Sequence, residues 1–291
     1  MSLSSRNSTR NGPVVLLDCS DLIHHVGFGA INVFKHINKN PDDVDFSENE
    51  RFLNIFLKKS IEHLRKIRYK YKTVYSKIFM VQDNPLNTIW RKKLYPEYKT
   101  NRSGGTRYQG KRFNFGNLFI KFNNDILPKL IEMTQHQLNV VKIDGAEADD
   151  VIAILTRKIP SYIDVYIISS DTDFLQLLDR RYTYIYTQKG EYNDKKLCNK
   201  SAKYKLLEKI LSGDKSDNIP SCFGREYGRT RDELIEKCLN SSDFLNNLLD
   251  IDQKFKEQYE LNRTLIDFDY IPQDIQDDIL TECDVAIGKC Y

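Results

Sequence analysis

Residues 165–173, VYIISSDTD, carry the reading on which the rest depends. Four apolar residues, three of them aliphatic and rich in β-branching, run into two serines and then an acid pair, Asp171 and Asp173. A short apolar run of this kind reads as a strand buried on both faces of a parallel sheet. Ligands of such sheets bind outside the carboxyl ends of the strands, where these acids stand. The pattern recurs: VVLL (14–17) runs into Asp18, KIFMVQ (77–82) into Asp83, and VVKIDGA (140–146) into Glu147, Asp149 and Asp150. A further pair, Asp214 and Asp217, follows KLLEKIL (205–211). If the strands are neighbours, their carboxylates converge on one small volume. Two unit charges about 4 Å apart repel by roughly 4 kcal/mol at an effective dielectric of about 20. Divalent cations remove that cost, and oxygen donors in this number suit Mg²⁺ or Mn²⁺.

Between the strands the periodicity turns helical. Leu53, Leu57, Ile61 and Leu64 predict a helix over 48–68, and Leu118, Phe122 and Ile126 another over 117–133, bent or interrupted at Pro128. Helices are also expected at 147–158 and 174–178, and a last strand at 182–187. This alternation predicts an α/β fold with a central, mostly parallel sheet flanked by helices. Beyond residue 203 strand signals cease, and helical patterns are broken at Pro220, Gly224, Gly228 and Pro272. The expected organisation is therefore a flexible tail over 1–12, an α/β domain over 13–202 and a helical subdomain over 203–291.

The chain of 291 residues has a net charge of +3, 40% hydrophobic and 29% charged residues, a mix that fits a globular protein. The near-neutral average hides a sorting of acids to strand ends and of bases to 91–112 and 225–231. That separation suits a polyanion held by metal ions and basic arms. Six scattered cysteines form no zinc spacing and read as reduced thiols of an intracellular protein. The opening dozen residues lack the apolar segment of a secretion signal, and no stretch is apolar enough to span a bilayer.

Taken singly, each acidic motif is ordinary. Glu147 to Asp150 is first-turn helix charge, Asp173 an N-cap, and Asp214 with Asp217 an Asx turn. Together, on four strand ends and one turn, they point to a pair of ions performing two-metal hydrolysis at phosphorus. None of His24, His25, His36, His63 and His136 adjoins the acids, so no histidine base is expected. The opposite sign comes from Arg91, Lys92, Lys93, Lys99, Arg102, Arg107, Lys111 and Arg112, interleaved with Trp90, Tyr95, Tyr98, Tyr108 and Phe113. Cations hold phosphates and aromatics stack on unpaired bases. Lys99 or Arg102 is placed to reach a scissile phosphate.

The segments LLDCSD, QDN, WRKKLYPEYKTNR, GAEADD, ISSDTDF, ILSGDKSDNIP and LIDFDYIP, in this order across residues 14–272, resemble the 5′-nuclease superfamily of flap endonucleases and 5′–3′ exonucleases. The similarity is greatest to its phage ribonuclease H branch. The resemblance implies a structure-specific nuclease that trims 5′ ends and flaps and removes RNA primers during replication. It implies that Asp18, Asp83, Glu147, Asp149 and Asp171 surround a first Mg²⁺, and Asp173, Asp214 and Asp217 a second, with Asp150 in the same acidic cluster. Lys99 and Arg102 match the basic pair on the helix entering a helical arch, which residues 103–115 would form. The region after Asp217 would be a helix–turn–helix-like grip on duplex DNA. Arg91, Lys92, Lys111, Arg112, Lys215, Arg225 and Arg229 are the expected nucleic-acid contacts. The stretch IPSCFGREYGRTRDE departs from the family's Gly-x-Gly hairpin, so a monovalent ion there is a weaker expectation, with Arg225, Arg229 and Arg231 as compensating phosphate contacts. Expected partners are branched or nicked DNA and RNA–DNA hybrid, with a replication clamp and a single-strand-binding protein by resemblance; a monomer and no membrane are expected.

Three rival readings are weaker. A catalytically silent DNA binder would have its acids repelling the phosphate it approaches. A haloacid-dehalogenase phosphatase wants an acid two residues after the nucleophile, where this chain has Ser20. A PIN-like ribonuclease usually lacks the helical C-terminal grip.

Overall fold

The computed structural model describes residues 12–38, 46–102, 107–108, 111–112, 115–192, 197, 200–224 and 230–290. Five parallel strands form the central sheet: β1 (Val14–Asp18), β2 (Ile78–Val81), β5 (Asn139–Val141), β6 (Val165–Ile168) and β7 (Thr183–Tyr186), in the order β5-β2-β1-β6-β7. The chain moves outward from β1 through β2 to β5, then returns to β6 on the other side, so β1 and β6 flank the switch point of a doubly wound sheet. Register fixes the rim. Asp18 pairs with Val81, and Leu17 with Ile168. The residues just beyond, Asp83 on one side and Ser169 to Asp173 on the other, therefore overhang the same edge.

Alternation along β1 sends Val14 and Leu16 to one core and Val15 and Leu17 to the other. Helices α1 (Cys19–Ile37), α2 (Glu50–Lys70), α4 (Phe115–Lys121) and α5 (Leu127–Met133) cover the second face, with Phe52, Phe56 and Phe122 fully buried. Each such side chain contributes on the order of 2 kcal/mol through burial. Helix α1 lies outside the elements expected from sequence. Its apolar residues Leu22, Ile23, Val26, Ala30, Ile31 and Phe34 do follow a helical stripe, interrupted in composition by Gly27 and Gly29. Gly27 is needed for packing: a Cβ there would meet Leu118 of α4 at 2.8 Å.

Helix α2 starts at Glu50 rather than 48, because Asn49 caps it by accepting from Phe52 N. Pro128 does not kink a continuous α-helix. A π-helical turn (Phe122–Ile126) absorbs the mismatch, and the proline sits in the first turn of α5, where its missing N–H costs nothing. The expected helix at 174–178 is a 3₁₀ segment (Asp173–Asp179). In the arch region, helix α3 (Trp90–Leu94) is followed by β3 (Arg107–Tyr108) and β4 (Lys111–Arg112), an antiparallel pair. Over those described residues the arch is a two-stranded ribbon rather than helical; residues 103–106, 109–110 and 113–114 lie outside the described set, as does the expected tail over 1–11.

Helices α7 (Ala202–Ser212), α8 (Arg231–Asn240), α9 (Ser242–Ile251) and α10 (Gln253–Ile266) build the helical subdomain around Tyr204, Leu211, Ile235, Phe255 and Tyr259. The last helix of the region expected to form the helical subdomain also packs on the sheet. Helix α11 (Gln273–Gly288) returns to the first face of the sheet, where Ile275, Ile279, Cys283 and Ile287 pack with Val151, Ile152 and Leu155 of α6 (Ala148–Lys158). Its apolar stripe announces burial but not the surface that buries it. Among the described residues no helix is long and apolar enough to cross a membrane.

Candidate active site

The sheet rim positions the first group of acids. Asp18 ends β1 and caps α1: Oδ1 accepts from Asp21 N at 3.1 Å and Oδ2 from Ser169 Oγ at 2.8 Å. Asp83 links two helix starts, accepting from Ser20 Oγ (2.5 Å) and from Ala148 N (2.9 Å) at the first turn of α6. Asp171 accepts from Asp173 N (2.9 Å) and donates its own N–H to Ser169 Oγ (3.1 Å). Burial, then the charges of Asp83 and Asp21, push the Asp18 carboxyl up to about 7. Asp149 is raised well above the carboxylate range by burial and by Asp171, with Asp83 and Asp18 adding to it. Mutual repulsion of this kind requires proximity. Asp18 and Asp171 meet at Ser169, and Asp83 reaches the amide that precedes Asp149, so the four acids neighbour one another along the rim.

Glu147, two residues before Asp149, is held differently. It caps α6 and is buried, yet Lys99 and Arg91 outweigh its burial and hold it below the ordinary range. Lys99 Nζ lies 2.5 Å from Oε1, Arg91 donates to Oε2 at 2.9 Å, and the Tyr98 hydroxyl is within reach of both Glu147 Oε2 (3.2 Å) and Asp217 Oδ2 (3.1 Å). Lys99 Nζ is also 3.7 Å from Asp217 Oδ2.

A second acidic group lies where the helical subdomain meets the rim. Gly213 ends α7 at φ +70°, and a Cβ there would meet the carbonyl oxygens of Ile219 and Pro220 at 2.4 Å. Only glycine permits that close approach, and it turns Asp214 and Asp217 back toward the sheet. Lys209, in the last turn of α7, bridges Asp173 and Asp214, with Asp214 Oδ2 at 2.7 Å. Although burial would lower it, these two carboxylates hold the Lys209 ammonium above its usual range. Lys209 in turn overrides burial to hold Asp214 down, whereas at Asp173 burial wins and the carboxyl rises to about 6.

Two expected contacts are corrected by this geometry. Arg91 is 3% exposed and spends its guanidinium on Glu147, on Asp150 (2.7 Å) and on the Leu265 carbonyl (2.8 Å), so it is an internal counter-charge and not a nucleic-acid contact. Lys92 donates to the Pro96 and Tyr98 carbonyls, folding over its own turn. Asp150 is fully buried and receives Trp90 Nε1 (2.9 Å), Arg91 and the Glu147 amide (3.0 Å). It holds Glu147 and Arg91 in place and presents nothing to an ion. Removing one partner of a buried pair costs about 3–5 kcal/mol, which is reason enough for Asp150 to be an acid. Lys215 is exposed beside Asp214. Arg102 closes a 3₁₀ turn (Thr100–Arg102), and Lys111 and Arg112 lie on β4; the side chains of all three fall outside the described set, as do Arg225 and Arg229 entirely. Sequence reasoning missed Lys209, Ser20, Ser169 and Asp21. A lysine in the last turn of a helix reads as ordinary dipole compensation, and isolated serines carry no spacing signal.

Among the described residues, no three histidine, cysteine, aspartate or glutamate side chains stand close enough, as placed, to grip one ion. The donor set nonetheless fits a hard cation: carboxylate oxygens, no thiolate or imidazole among them, and a raised proton affinity at Asp18 and Asp149.

A family model described as the 5′-3′ exonuclease N-terminal, resolvase-like domain matches residues 13–205. The chain belongs to the 5′–3′ exonuclease family. A second model, the C-terminal domain of T4 RNase H, matches residues 200–286. The chain is 32% identical over 226 residues to the ribonuclease H of Enterobacteria phage T4, covering 72% of this chain and 71% of that protein. It is 26% identical over 248 residues to a 5′-3′ exonuclease of Buchnera aphidicola, covering 83% and 76%. The fold matches that of the D15 flap endonuclease of bacteriophage T5, solved as a pseudo-enzyme-product complex with DNA and metal ions. That match has a TM-score of 0.61 at 19% identity and covers 94% of this chain and 99% of the other. The five-stranded parallel sheet and the helical C-terminal part of this 5′ nuclease are those of its family.

Proposed function

We propose that the chain is a Mg²⁺-dependent, structure-specific 5′–3′ exonuclease and flap endonuclease acting on DNA duplex and RNA–DNA hybrid, which removes RNA primers and 5′ flaps in replication. The observation that supports this reading is the chain of hydrogen bonds along the rim, in which Ser169 joins Asp18 to Asp171 and Asp83 receives Ser20 and the first turn of α6, beside a lysine held between Glu147 and Asp217. Asp18, Asp83, Glu147, Asp149 and Asp171 would hold one ion and Asp173, Asp214 and Asp217 the other. Bound there, two Mg²⁺ supply charge neutralisation and Lewis acidity at phosphorus. Manganese suits the same donors.

The chain's own residues do the rest. Arg91 and Asp150 fix Glu147, so the rim is organised before substrate arrives. Lys99 keeps the acids from repelling an incoming phosphate, and on exchanging Glu147 for the scissile phosphate it stabilises the charge that develops there. Ser20 and Ser169 hold Asp83 and Asp18 in register with the strand ends. The β3–β4 ribbon with Arg102, Lys111 and Arg112 would guide the single-stranded 5′ end, and Lys215 the duplex. A replication clamp and a single-strand-binding protein are the partners this role calls for, with the enzyme itself monomeric.

The test is cleavage of end-labelled 5′-flap, nicked and RNA–DNA hybrid duplexes with Mg²⁺ and with chelator. The expected result is short 5′-derived products from all three, only with metal. Binding without cleavage under every condition would mean a silent DNA-binding relative.

A further inference from the structure

Two turns far apart in sequence, 95–101 and 214–219, are joined by a seam of hydrogen bonds. Lys99 N donates to Asp217 O at 2.8 Å. Asn101 Nδ2 donates to Lys215 O at 2.6 Å, and Tyr95 Oη to Asn218 O at 3.4 Å. The Asn218 side-chain amide donates twice, to Glu97 O at 2.9 Å and to Thr100 Oγ1 at 3.0 Å. On each side of the seam a non-glycine residue has left-handed backbone: Lys99 at φ +56° and Asn218 at φ +60°.

Asparagine tolerates that conformation; lysine adopts it only where its surroundings enforce it. The enforcing contacts bracket Lys99. The acceptors of the Asn218 amide lie two residues before it and one after, and its own N–H is tied to the residue preceding Asn218. The consequence of the turn is the position of the Lys99 ammonium, 2.5 Å from Glu147 and 3.7 Å from Asp217.

We propose that Asn218 is a positioning residue: its side-chain amide latches the 97–100 turn and thereby sets where the Lys99 ammonium stands. The inference rests on the reading of Lys99 as the group that meets the phosphate. It makes the turn at the entrance of the helical subdomain and the root of the arch one mechanical unit, so that a shift of either moves the lysine.

The rival role for Asn218 is local, since its left-handed backbone also serves its own tight turn, closed by Ile219 N donating to Asp214 O at 2.8 Å. Two variants separate the roles. Asn218→Gly keeps the backbone conformation and deletes the amide. Asn218→Asp keeps size and conformation and turns a donor into an acceptor facing the Glu97 carbonyl. Each is made in the natural chain and in a Lys99→Ala background. Cleavage of a 5′-flap duplex is followed at single turnover with Mg²⁺, dissociation constants are measured in chelator, and thermal unfolding checks the fold. Both variants are expected to slow cleavage about 10- to 100-fold, the scale of a misplaced catalytic group, while the dissociation constant moves less than about three-fold. In the Lys99→Ala background they should add less than about two-fold. Thr100→Val, which removes one acceptor from the far side, should reproduce a smaller part of the loss. Cleavage at the natural rate in Asn218→Gly overturns the proposal, and so does an equal slowing in both backgrounds. If Lys99→Ala itself cleaves at the natural rate, the reading of Lys99 falls, and the latch with it.

Discussion

The two acidic groups of the site differ in how they meet their own repulsion. At the sheet rim, Asp18 is pushed up to about 7 and Asp149 well above its range, the charge of Lys99 notwithstanding. At the subdomain boundary, Lys209 stands between Asp173 and Asp214 and holds Asp214 below its ordinary range. At the rim Asp18 is buried, Asp149 half-buried, and Asp83 and Asp171 exposed, whereas Asp173 and Asp214 at the boundary are both half-buried. The rim acids raise one another, Lys99 opposing this at Asp149, and a bound cation would relieve that repulsion. The boundary group already carries a counter-charge that an ion must displace. On the proposed two-ion reading the rim would be the tighter ion site and the boundary the weaker, since at the boundary an ion competes with Lys209.

The comparison breaks most sharply at the rim. Asp149→Asn should reduce single-turnover cleavage by about 10³-fold or more, because it removes a donor from the stronger site. In chelator the same variant should be more stable than the natural chain, since a buried repulsion is relieved. A variant that cleaves normally, or that unfolds earlier without metal, would show that Asp149 is not a strained member of a metal-binding group.

At the boundary the opposite is expected. Lys209→Met leaves Asp173 and Asp214 facing each other and should cost roughly 3 kcal/mol in chelator, read as a lower thermal midpoint. Added Mg²⁺ should then restore more of the midpoint than it contributes to the natural chain, because the variant's acids no longer have a competing ammonium. Equal gains with Mg²⁺ in both proteins would erase the distinction between the two groups.

The smallest effect lies in the pH dependence of the metal-free protein. Burial raises Asp18 in the folded chain to about 7, whereas the unfolded chain releases the proton near the ordinary value of 3.8. Between these limits the folded state binds more protons, so this group's contribution to stability falls as pH rises through the window. Unfolding midpoints in chelator should therefore decline across it, less steeply in Asp18→Asn, and Mg²⁺ should flatten the upper end. An identical slope in Asp18→Asn would remove Asp18 from the strained set.

Much of this was legible in the chain. The runs before Asp18, Asp83, Glu147 and Asp171 are strands because continuous β-branched and aliphatic sequence is stable only when buried on both faces, and parallel order brings their ends to one rim. Helix α1 escaped because Gly27 and Gly29 lower helical propensity, and at Gly27 the reason is close packing against α4 rather than the helix itself. The ribbon at 107–112 escaped because a two-residue strand has no periodicity to detect.

The sequence by itself determined which acids stand at strand ends, since that depends on local patterning and the period of the backbone. Only the tertiary structure decided what each one does. Arg91 reaches Asp150 across 59 residues, Lys209 reaches Asp173 across 36, and α11 returns over the sheet to close the core. A stripe of apolar side chains specifies that a surface is buried, and a charge specifies that a partner is needed. Neither specifies which distant segment supplies it, because that follows from how the whole chain packs.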